Sequence, residues 1–218
     1  MSDDAIVQRF AALGTATVSD ALDKHVRPGS LLGLAPLADG QHMAGRAYTV
    51  RYVSAQTPAG TVGDYIDQVQ PGQVVVLDND ARVDCTVWGD ILTAVAHHRG
   101  IAGTVIEGVC RDTHRALSLG YPIYSHGRFM RTGKDRVEVA EEQGPVTIGG
   151  VTVRPGDILL GDSDGVVVIP QDIEEDILET AETIHRREES ILEAALNGAT
   201  IAEARARFGY HNLQRAEG

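Results

Sequence analysis

Between residues 74 and 127 the chain alternates between short apolar runs and longer stretches with helical spacing. VVVLDND (74–80) stays apolar until it meets turn residues, the pattern of a strand buried on both faces. DILTAVAHHRG (90–100) follows with a helical pattern that stops at Gly100. TVIEG (104–108) is a second buried strand, DTHRALSLG (112–120) a second helix closed by glycine, and YPIYSHG (121–127) a third strand. Strands joined through helices pair in parallel, because each crossover returns the chain to the same end of the sheet. The core is therefore α/β, and its strand-to-helix junctions share one edge.

The flanks are less regular. Residues 3–13 carry Ile6, Val7, Phe10 and Leu13 at helical spacing. TATVSDALD opens a second short helix for which Thr17 or Ser19 is the expected cap, with Asp20 in its first turn. GRAYTVRYV (45–53) alternates like a half-buried strand, and 146–170 reads as several short strands joined by Gly, Pro and Asp turns. A long helix over 172–197 stops at Asn197-Gly198, and a tail helix covers 200–207. No Pro/Ser-rich linker or internal repeat divides the chain. We expect one domain over 1–218, with N-terminal helices in 3–24, a mostly parallel central sheet, an antiparallel β section, and C-terminal helices in 172–207.

The net charge of −12 works against nucleic acid and anionic membranes, which need Lys and Arg to neutralise phosphate. Cys85 and Cys110 fit no zinc spacing and make no disulfide framework. MSDDAIVQRF has acids where a signal peptide needs a basic region, and no 18-residue apolar run exists. The expected compartment is the cytoplasm. No GxGxxG motif, Walker loop or Ser/His/Asp elbow appears.

The chemistry-bearing residues fall on the shared sheet edge. Gly89-Asp90 opens the first crossover helix; Arg111-Asp112 follows the next strand. Two carboxylates and a guanidinium should converge in the crevice where open α/β sheets bind ligands. Asp112 is a hard oxygen donor suited to Mg²⁺ or Mn²⁺, ions that keep several waters. Arg111 can hold a carboxylate or an enolate oxygen. The unpaired N–H groups of Gly89, Asp90, Ile91 and Leu92 begin a helix and make an anion site. From spacing alone, an Arg-Asp pair at a helix start is equally a cap with a surface ion pair.

WGDILTAVAHHRGIAGTVIEGVCRD (88–112) resembles the signature of the RraA-like family, an Asp, twenty residues, then Arg-Asp. TVSDALD (17–23), PGQVVVLDND (71–80), GYPIYSHG (120–127) and VRPGDILLGDSDGVVVIP (153–170) resemble it too. That family contains the 4-hydroxy-4-methyl-2-oxoglutarate/4-carboxy-4-hydroxy-2-oxoadipate aldolases. The resemblance implies a swivelling β/β/α sandwich assembled as trimers or pairs of trimers. It implies that Asp112 holds a divalent metal largely through waters and that Asp90 binds one of those waters. Arg111 would contact the 2-oxo group of a small 2-oxo acid and the 89–92 amides its carboxylate, for retro-aldol cleavage to pyruvate and oxaloacetate decarboxylation. Some relatives instead bind ribonuclease E, with a pattern that places an acid three residues after the Asp of Arg-Asp. This chain has Arg115 there.

On the long helix the apolar residues at 173, 177, 181, 184, 191, 192 and 195 form one face, with Glu188 in its middle. A carboxylate there needs a partner, a proton or a subunit boundary. The resemblance implies that Glu188 completes the site of a neighbouring subunit. His97 and His98 point about 100° apart and read as structural or exposed. His126 and Arg128 fall on the Arg111 edge and are candidates for the substrate mouth. Asp64 reads as a cap, Asp162 and Asp164 as turn acids, and Cys110 as a small buried residue.

Overall fold

A computed structural model describes residues 4–209, which begin with α1 (Ala5–Ala11) and α2 (Thr15–Lys24). A short strand β1 (Ala35–Pro36) precedes the long β2 (Met43–Ser54). The centre runs β3 (Val74–Thr86), α3 (Asp90–His98), β4 (Gly103–Cys110), α4 (Thr113–Leu119) and β5 (Ile123–Arg128). Then come β6 (Val137–Glu142), the hairpin β7 (Val146–Ile148) and β8 (Val151–Val153), the hairpin β9 (Ile158–Asp162) and β10 (Gly165–Ile169), and finally α5 (Glu174–Leu196) and α6 (Ile201–Phe208).

The main sheet has the order β1-β5-β4-β3-β2-β9-β10, with β6 also on β2. The pairs β2–β3, β3–β4 and β4–β5 are parallel, and β1, β6, β9 and β10 join antiparallel. β2 is long enough to serve two partners on one edge: Met43–Arg46 pairs with β9 and Val50–Ser54 with β6. Val74, Val75, Val76 and Leu77 are wholly buried, as a strand covered on both faces must be. One face packs under α3 and α4 around Trp88, Tyr121 and Ile106. The other carries the β7–β8 hairpin over Val76, Val105 and Tyr124. A third apolar cluster joins α1, α2 and α5 to β9 and β10. The result is the expected mixed α/β architecture with a mostly parallel core.

Three local expectations are corrected. The second helix starts at Thr15, not beyond Thr17 or Ser19. Its N-terminus is held from a distance: the Asp162 carboxylate accepts the Thr15 N–H at 2.8 Å and the Thr15 hydroxyl at 2.7 Å. Asp162 also accepts the Asp164 N–H at 2.9 Å, so it is a turn acid as well as a remote cap. β3 does not end at residue 80 but continues to Thr86 through an excursion in which Asp80 and Ala81 have φ of 54° and 51°. Gly63, not Asp64, holds the cap position of the 3-10 turn Asp64–Asp67, and no side chain caps it. Among the described residues no helix is long and apolar enough to cross a membrane, and Cys85 and Cys110 are buried free thiols.

Candidate active site

The site begins in the turn that links β3 to α3. The Thr86 hydroxyl donates to Trp88 O at 3.0 Å and accepts the Trp88 N–H at 3.2 Å. The buried Trp88 ring stacks on Tyr121 with centroids 6.2 Å apart, and its indole N–H donates to Thr93 Oγ1 at 2.9 Å. Thr93 Oγ1 donates to Gly89 O at 2.8 Å. The turn is thus braced from the sheet and from the helix it feeds. Gly89 is the cap residue of α3 and no side chain caps that end, so the positive end of the helix dipole and its first N–H groups face outwards.

The second junction is tied to the first: the Arg111 N–H donates to Trp88 O at 3.0 Å. Arg111 Nε lies 3.2 Å from Asp112 Oδ2, with both side chains partly exposed. Asp112 sits at φ 54°, ψ 34°, a left-handed conformation costing a non-glycine residue about 1–2 kcal/mol. A Cβ at Gly89 would stand 2.8 Å from Asp112 Oδ2 and 3.2 Å from Arg111 Nε. Both side chains therefore rest directly on the Gly89 backbone.

Asp90 stands between two hollows. One, of about 230 Å³, is lined by Trp88, Gly89, Asp90, Leu92, Arg111 and Lys134, among others. The other, of about 310 Å³, is lined by Asp90, Asp112, His114, Arg115 and Ser118. Gly89, Asp90, Ile91, Leu92, Arg111 and Asp112 are thus gathered at one place. A larger groove of about 780 Å³ lies elsewhere, between Arg27, Arg154 and Pro170, and shares none of these residues.

Among the described residues no three His, Cys, Asp or Glu side chains are grouped to hold a metal ion. Asp90 and Asp112 offer two hard oxygen donors beside open space. That donor set suits a cation that retains most of its waters, as Mg²⁺ does, and not one that demands a closed protein cage.

Glu188 is not brought to this place within one protomer. It is half-buried on α5 against α2, where the Thr17 hydroxyl donates to its Oε2 at 3.4 Å. Burial, with Asp20 nearby, pushes its carboxyl above the usual glutamate range, against a smaller opposing effect of the Thr17 bond. His97 and His98 are exposed. His126 and Arg128 line neither hollow: His126 bonds Gly33 O at 3.0 Å and lies 3.1 Å from Glu107, and Arg128 donates to Leu37 O at 2.7 Å. Both fasten the 33–37 segment to β5, a task set by that segment's fold. Thr132 and Lys134 do line the Arg111 hollow. No sequence signal marks them, because tertiary backbone bonds bring that loop to the site.

Residues 15–168 match the family described as RraA-like, Aldolase/RraA. The chain is 39% identical over 208 residues to protein DlpA of Legionella pneumophila, covering 94% of this chain and 34% of that protein. It thus spans about a third of the length of that relative. It is 35% identical over 177 residues to a Halalkalibacterium halodurans protein named "Putative 4-hydroxy-4-methyl-2-oxoglutarate aldolase", covering 80% of this chain and 81% of that one. Among solved structures it is similar to Streptomyces coelicolor RraAS2, described as an unusual member of the RNase ES inhibitor RraA protein family. There the TM-score is 0.77 and the identity 29%, over 86% of this chain and 96% of that chain.

Proposed function

Because the chain belongs to the RraA-like family, we propose that it is a divalent-metal-dependent lyase that cleaves a 4-hydroxy-2-oxo acid to pyruvate. We extend the proposal to oxaloacetate decarboxylation, which passes through the same enolate. The observation that carries this reading is the meeting of Arg111 and Asp112 on the bare backbone of Gly89, at the uncapped start of α3. The aldolase name borne by the relative from H. halodurans points the same way.

The 89–92 amides hold the substrate's 1-carboxylate, where the helix dipole favours an anion. Arg111 donates to the 2-oxo oxygen. A base removes the 4-hydroxyl proton, the C3–C4 bond breaks, and its electron pair passes into the pyruvate enolate. Arg111 stabilises the enolate oxygen more strongly than the ketone it replaces, which lowers the barrier. A proton delivered to C3 completes pyruvate. Asp112 would hold Mg²⁺ or Mn²⁺ largely through waters, with Asp90 on one of those waters, and such an ion supplies Lewis-acid polarisation of the 2-oxo group. Glu188 of a neighbouring subunit completes the site in a homotrimer or homohexamer. The working compartment is the cytoplasm, where both cysteines stay reduced.

A pyruvate-release assay with 4-hydroxy-2-oxo acids and oxaloacetate tests the reading. Asp112→Ala and Arg111→Ala are expected to lower kcat at least about 1,000-fold with Tm little changed. Chelation should do the same to wild type and Mg²⁺ should reverse it. Wild-type protein that releases no pyruvate from any of these substrates would sink the proposal. The likeness to RraAS2 favours one second reading, a protein that binds a ribonuclease; a pull-down with ribonuclease E separates the two.

A further inference from the structure

One wall of the hollow beside Arg111 comes from a segment with little core of its own. AQTPAGTVG (55–63) links the end of β2 to the 3-10 turn Asp64–Asp67. Residues 56–61 are all exposed. Only the far end turns inwards, where Val62 and Gly63 line the hollow together with Leu92, Asp90 and Arg111. A Cβ at Gly63 would stand 3.1 Å from Leu92 Cδ2, so the backbone there rests on the Leu92 side chain. An exposed segment with so few apolar contacts opens at low cost unless polar bonds hold it.

Those bonds come from β2 and β6. The Val139 N–H donates to Thr61 O at 2.9 Å, and the buried Tyr52 hydroxyl donates to Val62 O at 2.6 Å. Glu138, which faces Val53 across the β2–β6 pair, gathers the exposed stretch itself. Its Oε2 accepts the Gln56 N–H at 3.2 Å and the Gly60 N–H at 2.7 Å. The fit is close: a Cβ at Gly60 would stand 3.3 Å from Glu138 Cβ. Among the described residues Glu138 has no ion-pair partner, so its carboxylate is committed to these two amides. Two N–H groups on one carboxylate oxygen are charge-assisted bonds, stronger than those an uncharged acceptor makes. They close 56–60 into a bow and fix where 62 and 63 emerge from it.

We infer that Glu138 is a positioning residue: by holding the Gln56 and Gly60 amides it seats Val62 and Gly63 against Leu92 and closes that wall of the hollow over bound substrate, which it does not itself touch. This assignment rests on the lyase reading above. A closed wall keeps water from the Arg111 side of the hollow, where a guanidinium–substrate contact is stronger the less water surrounds it. With the bow released, the wall opens, and bound substrate loses that protection while Arg111, Asp112 and the helix start stay in place.

The test separates KM from kcat and reads the loop directly. Wild type, Glu138→Ala and Glu138→Gln are compared on oxaloacetate and on 4-hydroxy-4-methyl-2-oxoglutarate, with Tm and with hydrogen exchange of the peptide that covers 55–63. Glu138→Ala is expected to speed that exchange at least about 10-fold and to raise KM for both substrates about 5- to 20-fold. Its kcat should fall less than about 3-fold and its Tm by no more than about 2 °C, because neither the reacting groups nor the core is disturbed. Glu138→Gln keeps an oxygen for both amides and should return KM to within about 3-fold of wild type. A KM that stays at the wild-type value in Glu138→Ala overturns the assignment. So does a joint loss of kcat and Tm, the mark of a structural role, and so does a Gln variant no better than the Ala variant. Each of these results leaves the lyase reading standing, whereas wild-type protein that releases pyruvate from neither substrate brings down that reading and the assignment with it.

Discussion

Gly89 is where backbone and chemistry touch most closely. The space that a Cβ would need is taken by Asp112 Oδ2 and Arg111 Nε. Its φ of −144° is open to any residue, so alanine fits the chain but not the site. Gly89→Ala is expected to cut pyruvate release at least about 100-fold while Tm moves by no more than about 3 °C, measured side by side on the same preparation. Glu188 tests electrostatics. Its carboxyl is raised in the folded protein, chiefly by burial, so folding tightens its hold on a proton. The stability this contributes is complete below the unfolded glutamate value and is lost as pH rises through the raised value. Glu188→Gln, neutral throughout, should therefore raise Tm by about 1–3 °C at pH 8, a modest gain because the side chain is partly solvated. The gain should disappear below the ordinary glutamate range; a gain that persists there would mean that charge is not its cause.

Among the elements, one side chain of β2 ties together the starts of α1 and α5. Arg46 of β2 donates to Asp4 at the cap of α1 (2.8 Å), to Gly156 O (3.0 Å) and to Glu174 at the start of α5 (2.9 Å). These contacts keep the guanidinium charged and, with the Ile6 and Val7 amides, hold the Asp4 carboxyl low against the opposing effect of its burial. Removing the guanidinium takes from both acids the cation they share. Arg46→Met is expected to cost about 2 kcal/mol, a fall in Tm of about 5 °C by calorimetry, with kcat on a pyruvate-forming substrate retained below the transition. The 45–53 strand was legible from its alternation. The clamp was not, because its acids lie 42 residues before Arg46 and 128 after it.

For the whole molecule, Glu188 raises the question of assembly. It sits on α5 against Thr17 of α2, whereas Arg111 lines a hollow beside the start of α3. One protomer cannot use both at one site. If neighbouring subunits share the site, Arg111→Ala and Glu188→Ala oligomers are each inactive, but an equal mixture reassembled from the two regains intact sites. For random assembly about one site in four is whole, and activity should recover to about a quarter of wild type. A Glu188→Ala oligomer that is active on its own would place Glu188 outside the site, and sedimentation of the same mixture reports the oligomeric state directly.

The repeating strand–helix order of 74–127 was decided by the sequence alone, because apolar runs buried on both faces and glycine-stopped helices have few other ways to bury their surface. Chain order also put residues 89–92, 111 and 112 on one edge, since consecutive crossovers return to it. What tertiary structure decided lies across long sequence separations: Asp162 capping a helix 147 residues earlier, Arg46 binding two helix starts, and residues 131–134 laid against Thr86 to bring Lys134 beside Arg111. Each of these depends on backbone amides and charges whose partners no local pattern specifies. Burial makes a polar group take whichever partner the fold brings near.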